Sequence, residues 1–364
     1  MTRVVVAMSG GVDSSVAAAL MKQQGHEVIG VTMTLSPNDE SSAHKGRGCC
    51  SVWDVTDAEK VAWKLDIPHY VFNLRDAFEK HVISDFVSEY EKGRTPNPCR
   101  RCNQHIKFDH LLERAEALDA EAVVTGHYAR VEKHASENRY MLLRGHDLAK
   151  DQSYVLASLT QEQLSKIQMP VGIFGKADIR RMAAELELGV ANKKESMDLC
   201  FIPDGNTAGF LQERMKTLKP GPIKDQSGEV LGEHSGLGAF TIGQRKGLGI
   251  ATGKPRYVLE LQVANNTLVV GGPDALERAG MIVDELNWVD PSYAEGIGGN
   301  EGQIASIQYR STHRGSPGRI TGDPKAQEVK VTFDEAQSAL SPGQAAVFYR
   351  GDEVVGGGTI SSSF

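Results

Sequence analysis

Long apolar runs, excess positive charge and plentiful cysteine are all missing from this sequence, and each absence excludes something. No apolar run in the 364 residues approaches the roughly 20 positions that a membrane-spanning helix needs, so the chain is not expected to cross a membrane. Lys and Arg number 40 against 47 Asp and Glu, a net charge of -7, which excludes the strongly basic domain of a generic nucleic-acid binder. Any RNA contact must come from local patches. The candidates are Arg100 with Arg101 and Lys107, Lys193 with Lys194, Arg245 with Lys246, and the stretch from Arg310 to Arg319, each of which also reads as solvated surface charge. The opening Met1-Thr2-Arg3-Val4-Val5-Val6-Ala7-Met8 is too short an apolar stretch for a signal peptide, and cytoplasmic localisation is the expectation. In that compartment five cysteines (Cys49, Cys50, Cys99, Cys102 and Cys200) point to metal binding, redox chemistry or catalysis before structural disulfides. Repeats and low-complexity segments are absent as well.

What is present is the composition of an ordinary globular protein, 40% apolar and 24% charged, at a length that suggests two or three domains. The first 200 or so residues alternate strand-like and helix-like segments: strands over Arg3 to Met8, Glu27 to Met33, His69 to Phe72 and Ala122 to Thr125. Helices are expected over Val16 to Gln24, Asp54 to Leu65, Asp76 to Glu91 and Asn103 to Leu118. That alternation implies an α/β, doubly wound parallel sheet with ligands outside the carboxyl ends of its strands. Residues 36–50, which include Cys49 and Cys50, read as a mobile loop excursion. After about residue 205 Gly and Pro cluster and apolar runs become short and β-branched, as at Tyr257 to Val263 and Thr267 to Val270. Ile304 to Tyr309, Glu328 to Phe333 and Ala345 to Tyr349 would suit a small barrel. The expected division is 1–205 for the α/β domain, 206–277 for a small β-rich domain and 278–364 for a C-terminal β-barrel.

The strongest chemical signal is Ser9-Gly10-Gly11-Val12-Asp13-Ser14-Ser15, between the first strand and the first helix. Glycines let backbone approach a phosphate, hydroxyls donate to its oxygens, and the helix N-terminus favours negative charge. The Walker A ending and the G-x-G-x-x-G fingerprint are both missing here. The string resembles the pyrophosphate loop of the adenine-nucleotide α-hydrolase-like ATPases, which cleave ATP between its α and β phosphates. Many acceptors remain open at that level, small metabolites included.

Cys99-Arg100-Arg101-Cys102 follows Gly93-Arg94-Thr95-Pro96-Asn97-Pro98, with a helix expected from about Asn103. A thiol beside two arginines at a helix N-terminus should hold more thiolate, as a nucleophile or sulfur carrier requires. Cys200, between Leu199 and Phe201, reads equally as a small buried hydrophobe. Four-ligand zinc would need a second spaced pair, and Cys49-Cys50 is adjacent.

Together with Thr125-Gly126-His127-Tyr128, Lys150-Asp151-Gln152-Ser153-Tyr154 and Thr241-Ile242-Gly243-Gln244-Arg245-Lys246-Gly247-Leu248-Gly249, these strings resemble the bacterial tRNA-specific 2-thiouridylases along essentially the whole chain. The resemblance implies an ATP-dependent enzyme that adenylates the C2 oxygen of the wobble uridine in tRNAs for lysine, glutamate and glutamine and then inserts sulfur. By motif, Cys200 would carry a persulfide and Cys102 would release its sulfur or close a disulfide with Cys200. Ala7, Met8, Ser9, Gly10, Gly11, Val12, Asp13, Ser14 and Ser15 would hold ATP, with Asp13 also placing Mg2+, while Met33 and Gly126 would contact the adenosine. Asn97, Pro98 and Cys99 would meet the target base, flipped from its stack. His127, Lys150, Asp151, Gln152, Tyr309, Arg310 and Gln344 would meet the tRNA elsewhere. A sulfur-donor protein is the implied partner, and a monomer is expected.

Many family members carry Asp where this chain has Cys99. Cys99, Cys102 and Cys200 would offer three soft ligands to a [4Fe-4S] cluster with a sulfide on its open iron, an alternative sulfur source. Two further readings stay open: a synthetase of the same ATPase class acting on a small metabolite, which has no use for Cys102 and Cys200, and a nucleotide-gated RNA-binding module that makes no product.

Overall fold

The computed structural model describes residues 2–35, 52–194, 199–215, 219–251, 253–299, 301–323 and 327–364. The loop expected over 36–50, with Cys49 and Cys50, lies outside them. Two compact units make up the chain, Met1–Val82 with Cys99–Gly205 and Asp352–Val354, and Ile83–Pro98 with Asn206–Gly351 and Val355–Phe364.

In the first unit the strands are β1 (Arg3–Ala7), β2 (Glu27–Thr34), β3 (His69–Asn73), β4 (Ala122–Val124), the hairpin β5 (Ala129–Lys133) and β6 (Tyr140–Arg144), and β7 (Ile167–Gln168). Five of them form one parallel sheet in the order β3-β2-β1-β4-β7. Val4, Val5 and Val6 are fully buried, which suits a central strand covered on both faces and explains why β1 reads as continuous valine. Because the chain runs outward from β1 through β2 to β3 and then returns to β4 on the other side, the crevice at the carboxyl ends of β1 and β4 is a topological switch point. Helix α1 (Val12–Gln23) leaves β1 there and buries Val16, Ala17, Ala18 and Met21 against the sheet. Helix α2 (Val52–Lys64) buries Ala58, Val61 and Ala62 in the same core.

Two helical stretches differ from the expected ones. The helix expected over Asp76 to Glu91 runs from Arg75 to Glu91 with a π-helical turn at Glu79–Ile83. The helix expected from Asn103 starts five residues sooner, at Pro98–Arg101, passes through π-helical Cys102–Phe108 and ends as Asp109–Ala117. Proline is well tolerated in a first helical turn, where its missing N–H costs no bond, so Pro98 begins the helix instead of holding it off.

The second unit is β-rich. A four-stranded sheet orders β8 (Gly221–Asp225), β9 (Val230–His234), β10 (Tyr257–Gln262) and β11 (Thr267–Gly271) as β10-β11-β8-β9 around Ile223, Phe240, Leu248, Val258 and Leu268. The strands β12 (Glu277–Asn287), β13 (Gln303–Gln308), β14 (Ser316–Thr321), β15 (Val329–Ser338), β16 (Ala345–Arg350) and β17 (Glu353–Ser363) follow in the order β12-β15-β14-β13-β16-β17, and β12 pairs with β17 to close the ring. Alternate residues Val329, Val331 and Phe333 of β15 fill the barrel with Ile307, Ile320 and Phe348, the period of two that a half-buried strand requires. The α/β sheet, the small β-rich sheet and the C-terminal barrel expected from the sequence are all present.

Candidate active site

At the switch point the chain turns from β1 into α1 through Ser9 to Ser15. Gly10 sits at φ +69°, and a Cβ there would lie 2.3 Å from the Asp54 carbonyl oxygen, so no other residue fits. Ser14 Oγ accepts from Ser9 N at 3.1 Å and donates to Gly11 O, while Ser15 Oγ donates to the same carbonyl at 2.8 Å. Gly11 is the N-cap of α1 and offers no side chain to it, so no cap bond competes for the first-turn N–H groups. Opposite, Thr125-Gly126-His127 follows β4. A Cβ on Gly126 would lie 2.6 Å from Ser14 N, so Gly126 is what lets the two loops meet. Met8, just past β1, and Met33 in β2 are buried, and Thr32 Oγ1 donates to Met8 O at 2.7 Å.

Side chains from distant parts of the first unit fix this loop. Lys176 Nζ lies 2.7 Å from both carboxylate oxygens of Asp13, and Tyr128 OH donates to Asp13 Oδ1 at 2.7 Å. Lys193 Nζ donates to Gly10 O at 3.0 Å and pairs with Asp54 at 2.8 Å and Asp57 at 2.6 Å. Burial alone would lower the Lys193 pKa, but the hydrogen bonds and charges of Asp54 and Asp57 outweigh it and the pKa is raised. Lys193 is therefore no surface cation for RNA as the sequence suggested; it braces the loop. Arg100 is likewise corrected, being buried at 6% exposure. Sequence reasoning missed Lys176, Tyr128, Asp54 and Asp57.

The cysteines differ in exposure. Cys99 is exposed in the first helical turn, Cys102 is buried at the start of the π-helical stretch, and Cys200 is half-buried in a turn beside Phe201, whose ring meets Phe78 at 5.8 Å. None of the three forms a disulfide. Among the described residues no group of three His, Cys, Asp or Glu side chains is arranged to hold a metal ion. Next to Cys102, Asn103 is 2% exposed and donates Nδ2 to Val155 O at 3.1 Å. Its Oδ1, and Oε1 of Gln104, are buried with no hydrogen-bond partner among the described residues.

The residues expected to meet tRNA fall in both units. In the first, His127 is buried, bonded at 2.8 Å between Nδ1 and Thr125 Oγ1, and desolvation, with a smaller contribution from Lys107, holds its pKa well below the usual value. Asp151 turns inward and accepts from Arg144, Gly145 N, Ser153 N and Ser153 Oγ. Gln152 exchanges two bonds of 2.9 Å with the Tyr128 backbone, which ties its loop to the tyrosine that holds Asp13; Lys150 is half-buried in the same loop. In the second unit, Asn97 is half-buried and Pro98 buried, and Gln344 Nε2 donates to Thr95 O at 3.1 Å and Pro96 O at 3.3 Å. Tyr309 is buried, its OH donating to Gln337, with Arg310 5.1 Å from its ring centre.

Residues 2–204 match the family model of the tRNA methyl transferase HUP domain, 208–272 the tRNA methyl transferase PRC-barrel domain and 278–360 the aminomethyltransferase beta-barrel domain. The chain is 50% identical to the tRNA-specific 2-thiouridylase MnmA of Heliobacterium modesticaldum, covering 98% of this chain and 92% of that protein. It is 47% identical to the same-named protein of Moorella thermoacetica, covering 98% and 99%. Against the one from Herpetosiphon aurantiacus the identity is 46%, covering 100% and 99%. By these full-length identities the chain belongs to the tRNA-specific 2-thiouridylase family.

Proposed function

We propose that this protein uses ATP to adenylate the C2 oxygen of the wobble uridine in tRNAs for lysine, glutamate and glutamine, and replaces that oxygen by sulfur. The observation that carries the reading is a phosphate-binding loop braced by Lys176 and Lys193 in the same compact unit as Cys102 and Cys200, in a 2-thiouridylase. Attack of the C2 oxygen on the α-phosphorus expels pyrophosphate and turns a poor leaving group into AMP. Ala7 to Ser15 bind the phosphates, Lys176 supplies positive charge beside them, and Met33 and Gly126 border the adenosine. Mg2+ bound with ATP would neutralise charge on the phosphates, and the partly exposed Asp13 carboxylate is the residue to hold it.

A persulfide on Cys200, charged by a sulfur-donor protein, attacks C2 through its terminal sulfur, and AMP leaves. Cys102 thiolate then attacks Cys200 Sγ, so that the S–S bond to the base breaks, 2-thiouridine departs and a Cys102–Cys200 disulfide forms. An external dithiol supplies the two electrons that reopen it. Asn97, Pro98 and Cys99 face the flipped base, and His127, Lys150, Asp151, Gln152, Tyr309, Arg310 and Gln344 serve tRNA binding directly or by shaping the surfaces that touch it. The protein acts as a cytoplasmic monomer. Incubation with ATP, a sulfur donor and tRNA, followed by mass analysis of the digested nucleosides, should give 2-thiouridine with one AMP and one pyrophosphate released per product. ATP turnover with no thiolated nucleoside overturns the reading.

A further inference from the structure

In the second unit, at the Arg245–Lys246 patch that the sequence offers as a candidate RNA contact, described residues between β9 and β10 pack on the four-stranded sheet and form a recess of ≈ 240 Å³ lined by Arg245, Gly247, Leu248, Gly249, Lys254 and Arg256 among others. Three of these are cations and none of the lining residues is acidic. Its frame is built. Leu248 is buried in the core of the sheet, Gly243 N donates to Val258 O at 2.8 Å, and Val258 N donates to Gln244 O at 3.0 Å. The Gln244 side chain spans the turn, accepting from Thr241 N and donating to Lys246 O at 3.0 Å. Gly247 and Gly249 take φ of +77° and +69°, and without a Cβ they leave backbone open to close approach by a phosphate. Arg256 Nε is buried with no hydrogen-bond partner among the described residues.

We propose that this recess is a phosphate site for the tRNA backbone, in which Arg245, Lys254 and Arg256 take one or two phosphodiesters and so position the tRNA body. The proposal rests on the thiolation reading only for the identity of the nucleic acid. In a chain of net charge -7, a braced cluster of this kind supplies locally what the whole molecule lacks. Charge on a turn braced by the Gln244 side chain, as at Arg245, also costs less further ordering on binding. Arg256 shares its field with Asp225, whose carboxyl is held below the usual range first by the Ser227 hydroxyl and, among lesser causes, by Arg256. Arg245 is therefore the cleaner residue to change.

The test uses the full chain and its Arg245→Gln and Arg256→Gln variants, with tRNA binding followed by fluorescence anisotropy across a salt series and thermal melting as the check on folding. Each variant is expected to bind tRNA several-fold more weakly, with the slope of log affinity against log salt reduced by roughly 0.7–1 and the KM for ATP unchanged. Wild-type affinity and slope in both folded variants would overturn the proposal. Inorganic phosphate is titrated separately at matched ionic strength. Phosphate binding that Arg245→Gln removes, with tRNA affinity unmoved, assigns the recess to a free anion and overturns the tRNA assignment. Thiolated nucleoside is measured in the same samples. Weakened binding by the variants in a protein that makes none upholds the recess while the thiolation reading falls, whereas normal product with unmoved binding sinks the recess alone.

Discussion

The first unit contains two kinds of site that are built oppositely. Around Ser9 to Ser15 every charged side chain has its partner: Asp13 with Lys176 and Tyr128, Gly10 O with Lys193, and Lys193 with Asp54 and Asp57. Around Cys102 the helix is wound with π-helical turns, and the amide oxygens of Asn103 and Gln104 are buried without partners among the described residues. A phosphate loop gains from rigidity, because electrostatic stabilisation is strongest where the dipoles need not reorganise. On the proposed mechanism Cys102 has to meet a second thiol, and the π-helical winding at Cys102–Phe108 is of a kind that recurs at functional sites. The two segments thus differ in how their polar groups are satisfied, with paired charges at the loop and two buried amide oxygens unpaired among the described residues beside Cys102.

That contrast breaks most visibly at the cysteines. Cys102→Ser and Cys200→Ser should each abolish 2-thiouridine formation while leaving pyrophosphate release on tRNA measurable. The thermal midpoint should shift little for half-buried Cys200 and fall modestly for buried Cys102, where a hydroxyl asks for a hydrogen bond that a thiol does not need. If either variant still thiolated tRNA, no sulfur would pass through the segment and the comparison would lose one side. At the loop, Lys176→Ala should lower the rate of AMP formation by about 100- to 1000-fold, the scale of removing one preorganised charge or donor from a transition state. A steady-state assay that found only a raised KM for tRNA would remove Lys176 from the nucleotide site.

A stability measurement sharpens the same contrast. Lys193→Ala strands the carboxylate of Asp54, which is 6% exposed, beside Asp57, and should cost about 2–3 kcal/mol, less than a fully buried pair because Asp57 reaches solvent. On a unit of this size that is a fall of about 5–10 °C in the thermal midpoint. Because the Lys193 pKa is raised, its contribution is complete at neutral pH and is lost only as pH rises past the ordinary lysine range, so melting at neutral pH measures all of it. Adding Asp54→Asn to Lys193→Ala should recover part of the loss, and no recovery would show that Lys193 acts through something other than these charges.

Much of the rigid site was legible because its chemistry lies in seven consecutive residues, and the sheet beneath it because Val4 to Val6 spell a buried strand. Lys176 was not legible, standing 163 residues from Asp13 as one of 40 basic side chains and marked by no neighbour. Lys193 and Arg100 read as surface charge because a patch in sequence says nothing about which way a side chain turns. Asp151 and Gln152 drew attention as a polar string, and the structure turns their side chains to Ser153 and to Tyr128. The early helix start at Pro98 was obscured by reading two prolines as a stiff approach, when one of them occupies the helical position that proline favours.

The smallest expected effect concerns His127, where the rigid site meets the residues assigned to tRNA. Its pKa is depressed mainly by desolvation, with a smaller push from Lys107, so folding takes up the neutral imidazole and excludes the charged one. Below the unfolded value of about 6.5 the unfolded chain binds a proton that the folded chain refuses, so stability is complete above that pH and declines as pH falls beneath it, by at most roughly 1.4 kcal/mol per pH unit. His69, half-buried and also lowered by desolvation, adds to the same acid limb, so the readout is a difference. His127→Asn keeps an amide within reach of Thr125 and removes the titration. Its thermal midpoint should fall less steeply than the wild type's as pH drops below about 6.5, the unfolded histidine value. Parallel acid limbs would mean that His127 takes up its proton in the folded state, which would place it among the groups open to solvent and RNA.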